Sequence, residues 1–463
     1  MESFMKPVRL AAIAVVLGAV AIGAFVQTSA NSADKPAEFG RAAPSAEGRR
    51  ADLAAFRTDF FAKDKSYSPA ARSEAERRLS LLEGQIQSIS QPVFELELAR
   101  IAALADNGHT HYVLNSISRY YNRVPIRLAT FGEDFYVVRA LDTQQDLLGA
   151  RLVAIDGHPI DELRTAARSL WGGPVPLRDR YVFELLESPD LLKASNLSAE
   201  PGAATYRFAT PAGGAIERRL AAEPAGATRP YAVGAQVMFP QRLPLEDERW
   251  KTALTVAASP WSLRDWPIRF RSRRAPELEG LVLDFRQNTD ANGFRIGQVI
   301  RQFEGEIAAA RPKNLILDMR FNDGGDLTTT RAFMQSLPGK VPGRIFVLTS
   351  PFTFSAAIAS VAYLEQAAPE RVIIVGEEVG DRQMFFAEGG GIDLPHNKGM
   401  IGMGAQRHDY KDGCRQVKDC HRSVVRNPIA VASLKPDLAA PWTIEAYLAG
   451  RDPGMEAVAA ALR

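Results

Sequence analysis

The sequence predicts an α/β protein organised around a parallel sheet covered on both faces. Leu315–Met319, Ile345–Leu348 and Val372–Val375 are short, unbroken apolar runs, the composition of strands buried on both sides. Helix-like segments separate them, one from about Thr328 to Leu337 and one, rich in Ala, Ile and Val, opened by Ser355. The loops after the first two runs hold Asn322-Asp323-Gly324-Gly325 and Thr349-Ser350-Pro351-Phe352-Thr353-Phe354. Both lie at carboxyl ends of neighbouring strands, where open α/β sheets place their ligand sites.

The chain begins with a targeting pattern. Lys6 and Arg9 precede an almost wholly apolar Leu10–Val26, and Thr28-Ser29-Ala30 offers small residues for cleavage. Residues 1–30 fit a secretory signal better than a spanning helix, because the apolar run falls short of the ~20 residues a bilayer needs. An uncleaved anchor is the alternative and the one membrane contact expected. No cysteine stands directly after the run, so lipid attachment is not expected. The mature protein is expected in the periplasm or outside the cell.

A linker is expected over residues 31–48 and a helical subdomain over 49–122. Ser68-Pro69 pairs a cap with proline at the first helical position, and Leu79, Leu82, Ile86 and Ile89 then recur at near-helical spacing. A second start, Ser90-Gln91-Pro92, leads to Phe94, Leu98, Ile101 and Ala105. Residues 123–175 read as a small β insert, with Phe135–Val138 as one strand. Residues 176–266 form a β-rich connection with a hairpin around Pro211–Gly214. The α/β core occupies 267–463, entering through Gly280–Phe285 and a helix from about Gly293 to Ala310.

Composition narrows the function. With 463 residues, 46% hydrophobic and 24% charged, the chain is ordinary globular material for two to four domains. A net charge of +2 is too small to argue for nucleic acid, and no basic stretch carries interleaved aromatics. There is no nucleotide-binding glycine loop; Gly389-Gly390-Gly391 reads as a turn into a strand. The only cysteines, Cys414 and Cys420, make a local disulfide the default in an oxidising compartment. Zinc held by His408, Cys414, Cys420 and His421 is the alternative, but the spacing fits no zinc pattern. No metal or organic cofactor is expected.

Ser355 carries the chemistry. A hydroxyl in the first turn of a helix sits near backbone N–H groups without intrahelical partners and near the positive end of the dipole. Its own amide or the next, with a glycine amide from the facing loop, suits a developing oxyanion. On residue types alone, a plain capping serine and a plain glycine turn explain the same letters.

The ordered motifs Asp318-Met319-Arg320-Phe321-Asn322-Asp323-Gly324-Gly325, Thr353-Phe354-Ser355-Ala356 and Gly376-Glu377 resemble those of the tail-specific (C-terminal-processing) serine proteases and the tricorn protease core. The resemblance implies a crotonase/Clp-protease-like core, Ser355 as nucleophile, and amides near Gly324, Gly325 and Ala356 as the oxyanion hole. Leu147–Ile160 resembles the signature of the PDZ domains these proteases carry, and the segment is too short for a complete one, so a degenerate PDZ-like insert is expected. Leu394-Pro395-His396-Asn397, Lys435-Pro436-Asp437 and Gly450-Arg451-Asp452-Pro453 resemble further family turns.

The base is read from Asp106-Asn107-Gly108-His109-Thr110-His111. In the tricorn-like branch, a histidine before a threonine at the end of the helical region is the general base, and the match falls on His109. An imidazole suits that task near pH 7; a surface-loop histidine is the plain alternative, and His111 is the weaker candidate. Many tail-specific proteases use a lysine shortly after the third strand. Here Arg382 falls at or next to that position, and a guanidinium stays protonated and cannot serve as a base. Arg382 and Glu377 are therefore read as groups for substrate or charge. An acid should orient the imidazole; Asp409 ranks first, with Asp412, Glu377 and Glu378 as alternatives.

The expectation is an exported serine peptidase acting on peptides or proteins through Ser355 and His109. A catalytically inactive binder of peptides or envelope ligands on the same fold is the rival.

Overall fold

The computed structural model describes residues 43–112, 120–226, 234–290 and 293–463. The predicted leader and residues 31–42 of the predicted linker lie outside them. Ser45 caps the first helix, α1 (Ala46–Ala55), its hydroxyl accepting from the Gly48 amide at 3.1 Å. A helix therefore opens inside the stretch expected to be linker. Helices α2 (Pro69–Gly84) and α3 (Gln91–Ala103) begin on the two expected proline signals. Leu79, Leu82, Ile86, Phe94, Leu98 and Ile101 are buried where they meet. That core runs on without a break through Leu128, Phe135, Leu152, Leu163 and Tyr206, so the helical part and the insert share one interior. Among the described residues, no helix is long and apolar enough to cross a membrane.

After β1 (His111–Tyr112) the insert builds β2 (Ile126–Phe131), β3 (Asp134–Leu141), β4 (Arg151–Ile155) and β5 (His158–Pro159). Helix α4 (Ile160–Arg168) and three short helices follow: α5 (Val175–Asp179), α6 (Phe183–Leu186) and α7 (Pro189–Ala194). The expected hairpin is β6 (Ala203–Ala209) with β7 (Ala215–Ala221), and β8 (Trp250–Thr252) comes last. These strands form one seven-stranded sheet, β2-β3-β4-β6-β7, with β5 on β4 and β8 on β3. The division expected at residue 175 cuts through it, since Ile155 of β4 pairs with Tyr206 of β6. A segment too short to close its own sheet takes strands from later in the chain. The β2 edge is covered by the chain itself: the Leu128 amide donates to the Glu187 carboxylate at 2.7 Å and the Val124 amide to its carbonyl at 2.8 Å.

The core follows as β9 (Phe270–Ala275), β10 (Gly280–Phe285), α8 (Ile296–Ala310), β11 (Asn314–Asp318), α9 (Leu327–Lys340), β12 (Ile345–Thr349), α10 (Ala356–Ala367) and β13 (Val372–Gly376). A hairpin, β14 (Met384–Asp393) with β15 (Met400–Asp409), precedes β16 (Leu438–Ala439) and a final helix, α11 (Pro453–Ala461). The six-stranded sheet runs β16-β13-β12-β11-β10-β9; all neighbours are parallel except β9, which pairs antiparallel with β10. Leu281, Leu283, Leu315, Leu317, Ile345 and Val347 pack with α8, α9 and α10, whereas Val282, Ile316, Phe346, Leu348 and Val375 pack with Val458 of α11. Both faces are buried, which is why these runs are apolar without alternation. A second, antiparallel sheet, β1-β15-β14, ties the His109 segment to the core.

Arg320 explains two of the family-like turns. It bonds Asp318 at 2.7 Å and grips Asp452 with two bonds of 2.7 and 2.9 Å, all three side chains being nearly buried. Breaking one side of a buried ionic network leaves charge uncompensated. Asp452→Ala is expected to cost about 3 kcal/mol of unfolding free energy, read from the denaturant midpoint at unchanged slope.

Candidate active site

Two loops meet over the carboxyl ends of β11 and β12. The turn after β12 is pinned at every residue from Ser350 to Phe354. The Ser350 amide donates to Thr353 Oγ1 at 3.0 Å, Thr353 Oγ1 donates to the Met319 carbonyl at 2.9 Å, and the Ser350 hydroxyl donates to the Arg320 carbonyl. The Phe354 amide donates to the Asn322 carbonyl at 2.9 Å. Ser355 then sits at φ 56°, ψ −124°, half-buried at the head of α10, with no capping bond from its side chain. A non-glycine residue there is strained and persists only where its surroundings force it.

The facing loop supplies the force. Gly324 has φ 106°, and a Cβ built on it would lie 2.7 Å from Ser355 Cβ and 3.0 Å from the Ala356 nitrogen. Only glycine allows that approach. A Cβ on Gly325, at φ 134°, would lie 2.9 Å from the Asn288 carbonyl carbon. The Gly324 amide is committed to Asn322 Oδ1 at 3.0 Å. Asn322 in turn donates to the Phe285 carbonyl at 2.9 Å and to Asn288 Oδ1 at 2.8 Å, and Asn288 donates to the Ala356 carbonyl at 3.0 Å and Ser360 Oγ at 2.8 Å. Asn288 had no signal in the sequence; it lies in an unremarkable Arg286-Gln287-Asn288-Thr289 run.

His109 reaches this place from the front of the chain. Its ring stacks on Phe354, the residue before Ser355, at 4.4 Å between centroids, and on Phe385 of β14 at 5.1 Å. Phe385 stacks on His408 and His408 on His421, each at 5.0 Å. Neither ring nitrogen of His109 has a hydrogen-bond partner, so no hydrogen bond joins it to Ser355. Burial, with His408 and His111 beside it, lowers its pKa to about 3. The imidazole is neutral at physiological pH.

The carboxylate nearest His109 is Asp381, its Oδ2 lying 3.9 Å from Nδ1. Asp381 is itself buried and accepts from the Gly108 amide at 3.3 Å. Burial raises its pKa to about 7, against the pull of the Arg382 amide and charge. The acid ranked first from sequence is elsewhere: Asp409 Oδ1 accepts from the Lys411 and Asp412 amides of its own turn at 3.2 and 2.9 Å. Asp412 is exposed, and Glu378 lies 3.4 Å from Lys435. Glu377 faces a cavity of about 230 Å³ between the insert and the core, lined by Phe135, Val182, Phe183, Met238, Phe321 and Phe352. Burial raises its pKa to about 7. Arg382 turns to Asp106, with bonds of 2.8 Å to the carbonyl and to Oδ2. Glu388, at φ 63° in a bulge of β14, lies 3.5 Å from His408 Nε2.

Cys414 and Cys420 are joined in a disulfide, which withdraws both thiols from the alternative zinc set. Among the described residues, no group of three acidic, histidine or cysteine side chains is arranged to hold a metal ion.

No protein-family model and no curated protein matches the chain. Solved structures do. Mature CPAF complexed with lactacystin matches at 13% identity over 90% of this chain and 98% of that one, with TM-score 0.52. A serine-to-alanine mutant of CPAF matches at 12% identity over 87% and 95%, with TM-score 0.53. The photosystem II D1 C-terminal processing protease matches at 13% identity over 90% and 97%, with TM-score 0.37. The chain thus has the fold of CPAF over nearly its whole described length.

The contact between the two loops can be tested directly. Gly324→Ala adds a methyl where none fits and strains the backbone by about 1–3 kcal/mol. The expected result is a Ser355 displaced in the variant's crystal structure with the six-stranded sheet unchanged.

Proposed function

We propose that this chain is an exported serine peptidase in which Ser355 is the nucleophile and His109 the general base. One observation carries the reading: a strained serine at a helix head, pressed against a diglycine loop, with a neutral imidazole stacked on the preceding residue. The fold shared with CPAF and the sequence resemblance to tail-specific proteases support it.

In this mechanism Nδ1 of His109 faces Asp381, leaving Nε2 for the Ser355 hydroxyl. Asp381 Oδ2 stands 3.9 Å from Nδ1, close enough to act on the ring's charge and to close to a hydrogen bond as the imidazolium forms. His109 takes the proton as Ser355 Oγ attacks the carbonyl carbon of a peptide bond, then returns it to the leaving amine. With the Gly324 amide committed to Asn322, the oxyanion falls to the Gly325 and Ala356 amides, the latter in a first helical turn that lacks intrahelical acceptors. Gly324 serves by letting the loops touch. Asp381 takes the orienting role expected of Asp409. The cavity beside Pro351 and Phe352, mostly apolar but also lined by Arg168, Arg180 and Glu377, gives room for a substrate side chain.

A fluorophosphonate probe on the purified protein tests the reading. Labelling is expected, is lost in Ser355→Ala, and falls by about 10²–10⁴-fold in His109→Ala. Folded protein that takes no label would instead be the inactive binder.

The pH profile has a definite sign. Below about 7 the buried Asp381 carboxyl is protonated and cannot stabilise an imidazolium; above it the carboxylate can. His109 is neutral throughout that range and does not set the limb. Activity, as kcat/KM, is expected to rise as pH passes through about 7. Asp381→Asn should lower the plateau and abolish the rise; a rise that survives the substitution belongs to another group.

A further inference from the structure

Every residue around His109 is tied down except His109 itself. The Asn107 side chain makes a peptide-like pair with the Phe386 amide and carbonyl, both at 2.9 Å. The Gly108 amide is held by Asp381, and Thr110 Oγ1 donates to Asp64 at 2.8 Å. The ring, lacking hydrogen bonds, is aimed by its backbone and by the two phenyl faces. Whatever fixes that backbone therefore fixes the base.

The upstream anchor is Asp106, in the left-handed region at φ 48°. Aspartate enters this region more readily than most non-glycine residues, so where the loop sits depends on what the Asp106 side chain and carbonyl are bonded to. Two arginines from distant segments hold it. Arg178, at the end of α5, donates to Oδ1 at 2.5 Å and is itself braced on the Gly173 carbonyl at 2.6 Å. Arg382, after β13, donates to Oδ2 and to the Asp106 carbonyl, both at 2.8 Å. Asp381 and Arg382, adjacent in sequence, thus take Gly108 and Asp106 on either side of Asn107. The Arg382 and Asp106 side chains remain 47% and 52% exposed. A single exposed ion pair contributes little, but several bonds converging on one residue form a network, and its strength depends on salt.

We propose that Arg178, Asp106 and Arg382 form an ionic latch that holds the His109 loop in its reactive position. The arginines are positioning residues: they act on the base through Asp106 and touch no substrate. With the latch open, the segment before Asn107 is free to shift, and the imidazole loses its alignment between Phe354 and Phe385. The inference rests on the proposed Ser355–His109 reading.

The experiment measures fluorophosphonate labelling rate, kcat and KM for the full chain between about 0.05 and 0.5 M salt, a range over which surface charges become screened. The variants are Arg382→Ala, Arg382→Lys, Asp106→Asn and His109→Ala, with thermal unfolding as the folding control. In Arg382→Ala and Asp106→Asn, kcat and labelling are expected to fall about tenfold, with KM changed less than about twofold. Arg382→Lys, which keeps one bond to the carboxylate, should recover part of the loss. Salt should slow the wild type by a larger factor than Arg382→Ala, in which only the Arg178 pair is left to screen, a difference that a merely structural role would not produce. If the wild type labels, His109→Ala loses the label, and Arg382→Ala matches the wild type at every salt concentration, the latch is overturned and the site reading stands. If the wild type takes no label or His109→Ala keeps it, the site reading falls and the latch with it.

Discussion

The close approach of Gly324 to Ser355 is the constraint on which the candidate site depends. Adjacent parallel strands stand about 4.8 Å apart, so the loops leaving β11 and β12 crowd unless one lacks side chains. A carboxamide network removes the remaining freedom. Asn322 links its own loop to β10, and Asn288 links that pair to the first turn of α10 and to Ser360. These amides are buried and bonded, the condition under which a polar network rigidifies rather than weakens a core. The strain at Ser355 is therefore imposed from three sides: the pinned turn before it, the helix after it and the glycine opposite.

The imidazole is held by different physics. Stacked aromatic faces exclude water and impose a plane, but they supply no hydrogen bond to choose a tautomer or offset a charge. Such a pocket keeps a histidine neutral and also makes its protonated form costly. The proposed base needs a counter-charge when the proton arrives; Asp381 is the carboxylate 3.9 Å from the ring nitrogen, and the Glu388 charge also favours the imidazolium. Its own burial makes that help conditional on its ionisation. The two groups face the same constraint: the desolvation that keeps His109 neutral and makes its protonation costly also holds back the acid that would stabilise the imidazolium.

Much of this was legible where the signal was local. The three core runs, the helix starts at Ser68-Pro69 and Ser90-Gln91-Pro92, and the diglycine turn are written in neighbouring residues, and each lies where expected. The insert was less legible because its sheet is assembled from strands separated by four helices, so no single segment looks complete. The site's partners were hidden by distance. Gly108 and Asp381 are 273 residues apart, whereas Asp409, the acid favoured by its place in the sequence, bonds its own turn. Arg382 was legible as a non-base, yet its attachment to Asp106 crosses 276 residues and leaves no periodic trace.

A base proposed at the front of the chain has a consequence for how the protein must fold. The Asp52 carboxylate of α1 receives the His396 and Asn397 amides, both at 2.8 Å. Asp64 receives the Gly404 amide at 2.7 Å, and the Tyr112 hydroxyl donates to Asn397 at 2.7 Å. Each contact joins the helical part to the β14–β15 region, and Phe385 of β14 is one wall of the imidazole pocket. The six-stranded sheet can place Ser355 and its facing loop by itself, because those elements are consecutive. It cannot place His109. In the proposed reaction the nucleophile is thus a property of the core, whereas the base is a property of the whole chain. Loss of docking between its two ends would silence chemistry while leaving the strained serine in place.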